Sequence, residues 1–288
     1  MKYRFIEKHQ ITFPIERLCQ ALEVSRSGYY AWQMRQHQPQ SSAEQDLIQD
    51  IRAIHRMSRR TYGSPRISYE LRLQGKVCNH KRVARLMRLA GVRGVRKRLK
   101  ASVTNSQHNY PIAPNLMNQQ FEANAPNTKW VADITYIPTH EGWLYLAAVM
   151  DLYSRKIVGW SMADQVSADL VEDALQRAIF ERQPGPGLLH HSDRGSQYAS
   201  NQIRQILQAN HIEVSMSRTG NCYDNAPIES FFSTLKCEWV HLQNYRTKSQ
   251  AKQDIFEYIA GFYNSHRRHS ALGYLTPMEF EQNVRKVS

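Results

Sequence analysis

Three carboxylates in the second half of the chain have the types and spacing that metal-dependent chemistry on phosphate requires. Asp133 lies within a strand-like apolar run, residues 130–136, where a buried charge is costly unless it binds a cation or another strong partner. Asp193 follows a second predicted strand, and Glu229 lies beyond it, with 35 residues between, on a helix predicted to begin near Asn225. This combination of two Asp and one Glu is typical of a two-metal phosphoryl-transfer site.

Carboxylates supply the oxygen ligands that hard divalent cations prefer. Asp133, Asp193 and Glu229 are therefore predicted to be both the catalytic and the metal-binding residues. They would hold two Mg²⁺ (or Mn²⁺) ions per active site, with Asp133 bridging the pair. Lys236 lies seven residues after Glu229. That offset is roughly 700° around a helix, so both side chains share one face. The Lys236 ammonium group could hold a DNA phosphate beside the metal site.

The elements that must position these residues are predicted over residues 128–288. Runs rich in β-branched and aromatic residues predict three antiparallel strands joined by short links: residues 129–137, 143–152 and 156–162. Ser167 then caps a predicted helix that runs to Arg182. A strand, a helix and a strand follow: residues 188–192, 201–210 and 213–217. This order predicts a mixed five-stranded sheet with helices on both faces and a C-terminal helical extension. Asp133 and Asp193 can meet if the fourth strand lies beside the first.

The first 124 residues carry the whole basic excess of the chain. They hold 22 Lys and Arg against 8 Asp and Glu, a net charge of +14, whereas residues 125–288 hold 16 against 17. A charge that served only solubility would be spread over the surface. Its concentration in one segment favours a module that binds nucleic acid over an ordinary solvated helical face.

Two parts of this basic segment predict helix-turn-helix units. Residues 1–36 combine an apolar stripe, a turn and a second helix, and residues 44–100 repeat the theme. In the second unit Asn79 is expected to cap a helix whose basic side chains point outward, toward phosphates and base edges. The predicted DNA-binding residues are Arg66, Lys81, Arg82, Arg85, Arg88, Arg96, Lys97, Arg98 and Lys236. Polar stretches at residues 37–42 and 101–127 predict linkers that bury little surface.

Other features of the sequence argue against several classes of protein. No window of about 18 consecutive apolar residues predicts a membrane span, and the first residues lack the apolar stretch of a signal peptide. The four cysteines contain no Cys-x-x-Cys pair. Their spacing argues against a zinc module and for a reducing cytoplasm.

Five motifs resemble those of one family. Three surround the carboxylates: WVADITY at 130–136, HSDRGSQY at 191–198 and YDNAPIESFF at 223–232. RTYGSPRI at 60–67 is similar to the family's helix-turn-helix region, and YNSHRRHSALGY at 263–274 is similar to its C-terminal motif. The chain resembles the second-frame (OrfB) transposases of the insertion-sequence-three family, which are related to retroviral integrases.

The resemblance implies a ribonuclease-H-like, integrase-type α/β core preceded by α-helical helix-turn-helix segments. It aligns Asp133, Asp193 and Glu229 with the family's catalytic triad, and Lys236 with the basic residue after the Glu. The implied reactions are cleavage of insertion-sequence ends and strand transfer, on double-stranded DNA with terminal inverted repeats and on target DNA. The implied partners are further copies of the chain and an upstream first-frame subunit, separate or fused. The implied location is the bacterial cytoplasm, at the nucleoid.

Two other functions are compatible with the same residues. A metal-dependent nuclease or resolvase on the same fold would cut DNA without joining it. A catalytically silent regulator would only bind DNA. The basic two-part N-terminal segment favours a recombinase over the nuclease, and the complete Asp–Asp–Glu set argues against the regulator.

The sequence allows two interpretations of Asp151, and two of the neighbouring pair His190 and His191. Asp151 ends the second predicted strand and could reach the active site, although a cap of the following turn together with Ser154 is favoured. His190 and His191 precede Asp193 and either bond to the site or belong to the core of the protein.

Two further polar groups are candidates for contact with DNA. The first is the loop before the helix of Glu229: Asn221, Tyr223 and Asn225. The second is a late basic cluster that either contacts phosphate or is exposed to solvent: Arg267, Arg268 and His269.

Overall fold

The N-terminal part of the chain forms a small three-helix unit. The structure is a computed structural model that describes residues 2–37, 42–95, 111–219 and 222–285. The three helices are α1 (Lys2–His9), α2 (Ile15–Ala21) and α3 (Arg26–His37). They share an apolar cluster: Ile6, Leu18, Cys19 and Tyr29. The sequence predicted α2 and α3 but not α1. Of the two serines that could cap α3, Ser25 and Ser27, it is Ser25 whose hydroxyl accepts from the Gly28 amide.

Three more helices form the second basic unit: α4 (Ser42–Met57), α5 (Ser64–Leu73) and α6 (His80–Leu89). The predicted stripe of α4 is buried, as expected for an amphipathic helix: Leu47, Ile51 and Ile54. Asn79 caps α6 as predicted, because its side-chain oxygen accepts from the Arg82 amide at 2.8 Å. The predicted DNA contacts Arg96, Lys97 and Arg98 lie outside the described residues.

A five-stranded mixed sheet forms the centre of the chain. Its strands are β1 (Lys129–Thr139), β2 (Gly142–Asp151), β3 (Ile157–Ala163), β4 (Leu189–Ser192) and β5 (Glu213–Met216). The strand order is β3-β2-β1-β4-β5. The hairpin-linked pairs β1–β2 and β2–β3 are antiparallel, whereas β1–β4 and β4–β5 are parallel. The predicted strands, their number and their mixed directions are confirmed.

Helices cover both faces of the sheet. One face packs against α7 (Ala168–Arg182) and α8 (Asn201–Ala209), and the Ser167 side chain caps α7 by accepting from the Leu170 amide. The other face packs against α9 (Ala226–Glu238) and α10 (Lys248–Tyr258), which continues into a π-helical turn. The last helix is α11 (Pro277–Arg285). The apolar cluster beside α9 continues into α4–α6, so the second basic unit is packed onto the core. No helix in the described parts of the chain is long and apolar enough to cross a membrane.

The second half of the predicted linker packs against the core. Met117 is 1% exposed. The amides of Leu116 and Met117 donate to the Ser215 hydroxyl on β5, and the Asn115 side chain donates to Asp224. Ten of the seventeen residues 111–127 are nevertheless exposed, so the stretch buries little surface, while hydrogen-bond partners distant in sequence hold its backbone in place.

Candidate active site

The parallel pairing of β1 with β4 brings the two aspartates together. Ala132 pairs with Ser192, so the next residue on each strand, Asp133 and Asp193, lies at the same edge of the sheet. The structure thus meets the condition under which the sequence allows the two aspartates to come together, that the fourth strand lies beside the first. Burial raises the pKa of Asp133 well above its usual range, and the negative charge of Asp193 raises it further. The two carboxylates therefore interact directly through their charge.

Backbone amides orient each aspartate. The Asp133 carboxylate accepts from the Ile134 amide at 2.8 Å, and the Asp193 carboxylate accepts from the Gly195 amide at 2.9 Å. A Cβ atom added at Gly195 would lie 3.0 Å from the Asp193 Oδ1 atom, so a larger residue here would crowd the carboxylate of Asp193.

Helix α9 brings the third carboxylate to the same edge of the sheet. Glu229 lies in the first turn of α9, which begins with Pro227 near its N-terminus. The Asn225 side chain, just before the helix, donates to the Ala132 carbonyl at 3.0 Å and ties the start of α9 to β1 directly before Asp133. Burial raises the pKa of Glu229, and the charge of Glu229 contributes to the raised pKa of Asp133.

A cation from α9 lies near Asp133. Lys236 places its Nζ atom 4.1 Å from the centre of the Tyr136 ring, a cation–π contact. The positive charge of Lys236 lowers the pKa of Asp133, so it acts against the effects of burial and of the other carboxylates. Lys236 and Glu229 therefore both lie within electrostatic reach of Asp133, as their helical spacing predicted.

The donor set of this site consists of carboxylate oxygens, with no thiol or imidazole from the predicted residues. Such a set suits a hard divalent cation. In the parts of the chain that the structure describes, no three His, Cys, Asp or Glu side chains are close enough to enclose one ion as they stand.

Comparisons with known proteins match this architecture. Profiles described as "Integrase core domain" match residues 123–222 and 210–277, and a profile described as "HTH-like domain" matches residues 42–100. The transposase InsF for insertion sequence IS3A of Escherichia coli (strain K12) is 43% identical over 285 residues, 98% of each chain. The 31 kDa protein of insertion element IS600 from Shigella sonnei is 43% identical over 271 residues, 94% of this chain and all of that protein.

This chain belongs to the family of IS3 insertion-sequence transposases. It acts in DNA transposition and binds DNA, and its integrase-type core confirms the fold predicted from the sequence. Among solved structures, the HTLV-2 integrase catalytic core domain in complex with magnesium is 15% identical, with a TM-score of 0.44. The match covers 56% of this chain and 99% of that domain.

The transposase exposes one of its predicted DNA-binding surfaces on α6. Its four basic residues are exposed: Lys81, Arg82, Arg85 and Arg88. Arg82 and Arg85 lie against Glu44 of α4 in an exposed ion-pair group. Arg66 differs, because its side chain is only 22% exposed and pairs with Glu238 at 3.5 Å. The structure therefore places Arg66 between α5 and α9, facing protein.

The late basic cluster of the transposase is buried, so both sequence interpretations of it are wrong. Arg267 pairs with Glu238 on α9, and Arg268 pairs with Glu70 on α5 and with Glu279 on α11. His269 is buried and lies edge-on to an aromatic ring, that of Tyr263. These ion pairs hold the second basic unit, α9 and the C-terminal segment together, because each charge is satisfied by a carboxylate from a different element.

Asp151 and the two histidines have structural roles. Asp151 is buried and caps the turn after β2, where the Tyr153 amide donates to it and the Lys156 amide donates to the Ser154 hydroxyl, as favoured from the sequence. Burial lowers the pKa of His190 and His191 to about 4. The His191 ring bonds to hydroxyls of β5 and the loop after it, Ser215 and Ser217, which places it in the core.

The loop before α9 holds a residue that sequence reasoning missed. Asp224 is buried and accepts hydrogen bonds from Asn115, Gln119 and the backbone and side chain of Arg218. These bonds, with that of Arg218 the strongest, lower the pKa of Asp224. The sequence feature that could have identified Asp224 was its position as an acidic residue directly before Asn225. Asn225 itself bonds to protein, Tyr223 is exposed, and Asn221 lies outside the described residues.

Proposed function

We propose that this chain cleaves DNA at the ends of its insertion sequence and joins the freed ends to another strand. Asp133, Asp193 and Glu229 would be the catalytic residues and would hold two Mg²⁺ or Mn²⁺ ions. The observation that carries this proposal is the arrangement of β1, β4 and α9, in which Ala132 pairs with Ser192 directly before the two aspartates and Asn225 bonds to Ala132 at the start of the helix of Glu229. Groups whose pKa is shifted strongly by burial and by a specific charged neighbour are typical of catalytic sites.

The residues present fit a pair of divalent cations. The site supplies oxygen donors only, and cations between the carboxylates would relieve the repulsion that raises the pKa of Asp133. When bound, two such ions activate an attacking oxygen and stabilise a departing one. Asp133 interacts through its charge with both Asp193 and Glu229, so it would contact both ions, and Asp193 and Glu229 would each contact one.

The remaining residues of the site bind and orient the DNA. Lys236 is proposed to contact a phosphate beside the scissile bond. In the first reaction water attacks the phosphodiester, the bond to the 3′ oxygen breaks, and a 3′-hydroxyl is freed. In the second reaction that hydroxyl attacks a phosphodiester of another strand and displaces its 3′ oxygen. No protein nucleophile takes part, because the attacking group in each step is a water or DNA oxygen.

Recognition of the terminal repeats is proposed to use the exposed face of α6, through Lys81, Arg82, Arg85 and Arg88. Arg66 does not belong to this set, since it faces Glu238. Two element ends must be held at once for joining, so the active form is proposed to contain at least two copies of the chain. An upstream first-frame product, separate or fused, is proposed to add further contacts with DNA.

A strand-joining assay tests this function. Purified protein, Mg²⁺ and a duplex that ends in the terminal repeat are incubated, and the products are separated on a sequencing gel. Joined products that disappear with Asp133→Asn, while DNA binding persists, support the proposal. Nicked products without joining would instead indicate a nuclease. If no cut or joined product forms even when the upstream product is fused to the chain, the protein would be a DNA-binding regulator.

A further inference from the structure

Two exposed aromatic side chains lie near the end of the β1–β2 hairpin. Tyr136 is 52% exposed and Trp143 is 50% exposed. Their ring centres are 5.0 Å apart with the planes at 79°. In the strand register Tyr136 pairs with Tyr145, two residues from Trp143, so Tyr136 and Trp143 are diagonal neighbours on one side of the hairpin. The pair presents a broad apolar ring surface to solvent.

This aromatic pair adjoins the site of the three carboxylates. Tyr136 lies three residues beyond Asp133 on β1, about 10 Å along the strand. Because successive side chains alternate between the faces of a sheet, Lys236, which interacts with Asp133 through its charge, provides the link between the two residues. Lys236 of α9 holds its ammonium group 4.1 Å from the centre of the Tyr136 ring. One side of the Tyr136 ring is thus taken by a cation, and the Trp143 indole is the aromatic surface that remains open to a ligand.

A positive charge next to an exposed aromatic ring can bind the phosphate and the base of a single nucleotide. The ammonium group complements a phosphate, and the indole complements the flat face of a base. The bases of intact duplex DNA are stacked on one another, so only an unpaired base offers its face to Trp143. An aromatic surface also tolerates any base, because each base has a π face.

We propose that Trp143 stacks on an unpaired base of the DNA strand whose phosphate Lys236 contacts, a few nucleotides from the carboxylates. This inference rests on the proposed function, since it identifies the form of DNA that the same site takes. The β1–β2 hairpin would then bind a frayed or single-stranded segment of the DNA beside the cleavage point. Tyr136 supports the indole and positions Lys236.

Binding of two single-stranded probes to the full chain, in buffer with EDTA, tests the inference. The first probe is a labelled thymine oligonucleotide, and the second has the same length and phosphates but abasic sugars. Phosphate contacts are equal for both, so the ratio of their Kd values reports base stacking. We expect the parent protein to prefer the thymine probe by about 10-fold or more. Trp143→Ala should remove this preference, whereas Trp143→Phe should keep most of it.

Phe180→Ala is the matched control, because Phe180 is 82% exposed on α7 and is no part of the site. It should leave the preference unchanged. A preference that survives Trp143→Ala, or a parent protein that binds both probes equally, would overturn the inference. Because the assay contains no metal, its result is independent of catalysis. A protein that prefers the thymine probe through Trp143 but never cuts DNA would contradict the proposed function alone.

Discussion

Arg267 and Glu238 form a buried ion pair in which two guanidinium nitrogens reach the two carboxylate oxygens, at 2.6 and 2.7 Å. Both side chains are about 5% exposed. Glu238 ends α9, the helix that carries Glu229 and Lys236, and Arg66 of α5 approaches the same carboxylate. The pair therefore connects the helix of the active site with the second basic unit and the C-terminal segment.

Removal of one partner of this pair should destabilise the protein strongly. Arg267→Ala leaves the Glu238 carboxylate buried without its main partner, which typically costs about 3–5 kcal/mol. Urea unfolding followed by circular dichroism measures the change in the free energy of unfolding. Arg204→Ala, on the exposed side of α8, is the control and should change it by less than about 0.5 kcal/mol. Equal effects of the two substitutions would show that the buried pair has no structural role.

Asp133→Asn should stabilise the metal-free protein at neutral pH. Burial and Asp193 raise the pKa of Asp133 in the folded state, so its charged form opposes folding above that raised pKa. This penalty disappears as the pH falls through the raised value. The variant should be more stable by about 0.5–2 kcal/mol near pH 7, the usual range for stabilising substitutions.

The difference between parent and Asp133→Asn should vanish below about pH 3, where the parent carboxyl is protonated in both folded and unfolded states. Thermal unfolding in EDTA across this pH range measures it. Asp46→Asn, at an exposed position of α4, should show no such trend. A variant less stable than the parent at neutral pH would contradict the inference that the ionised Asp133 carboxylate destabilises the folded state.

Asp224→Asn should destabilise the protein at neutral pH, the opposite of the effect expected for Asp133→Asn. The bonds from Arg218, Asn115 and Gln119 lower the pKa of Asp224 in the folded state, so the carboxylate contributes stability above its unfolded pKa. That contribution disappears as the pH falls below about 4, through the lowered folded value. At pH 7 the variant should lose about 1–3 kcal/mol, because a neutral amide offers Arg218, Asn115 and Gln119 one acceptor oxygen in place of two charged ones.

The stability of Asp224→Asn should approach that of the parent in acid. Urea midpoints measured at several pH values give the comparison, with Asp46→Asn again as the control. A constant gap at all pH values would mean that the loss comes from packing and that the charge of Asp224 contributes nothing.

Neutralising the exposed face of α6 should reduce the salt dependence of DNA binding. Removing one contact between a basic side chain and a DNA phosphate lowers the slope of log K against log salt by about 0.9. A combined Arg82→Ala, Arg85→Ala and Arg88→Ala variant should therefore show a flatter slope in fluorescence anisotropy with terminal-repeat DNA. Glu44→Gln should strengthen binding, because Glu44 competes with phosphate for Arg82 and Arg85. An unchanged slope of log K against log salt would show that these residues of α6 do not contact DNA phosphates.

Local patterns in the sequence predicted the five strands, most of the helices that precede and cover them, and the three candidate carboxylates. The strands β1 to β5 follow from their β-branched and aromatic composition, and the caps of α6 and α7 follow from Asn79 and Ser167. These features depend on neighbours within a few residues, through backbone hydrogen bonds and side-chain periodicity. The position of Asp133 next to Asp193 was predictable only on the condition that β4 lies beside β1, which the parallel register fulfils.

Only the tertiary structure decided which basic side chains are exposed and which pair with carboxylates of the protein. Arg267 and Arg268 look like a surface cluster in the sequence, yet Glu238 lies 29 residues from Arg267 and Glu70 lies 198 residues from Arg268. The polar stretch at residues 111–127 likewise packs on the core through Ser215 and Asp224. The burial of a charged or polar group depends on whether a distant segment supplies its counter-charge or hydrogen bond, and the local sequence does not specify that partner.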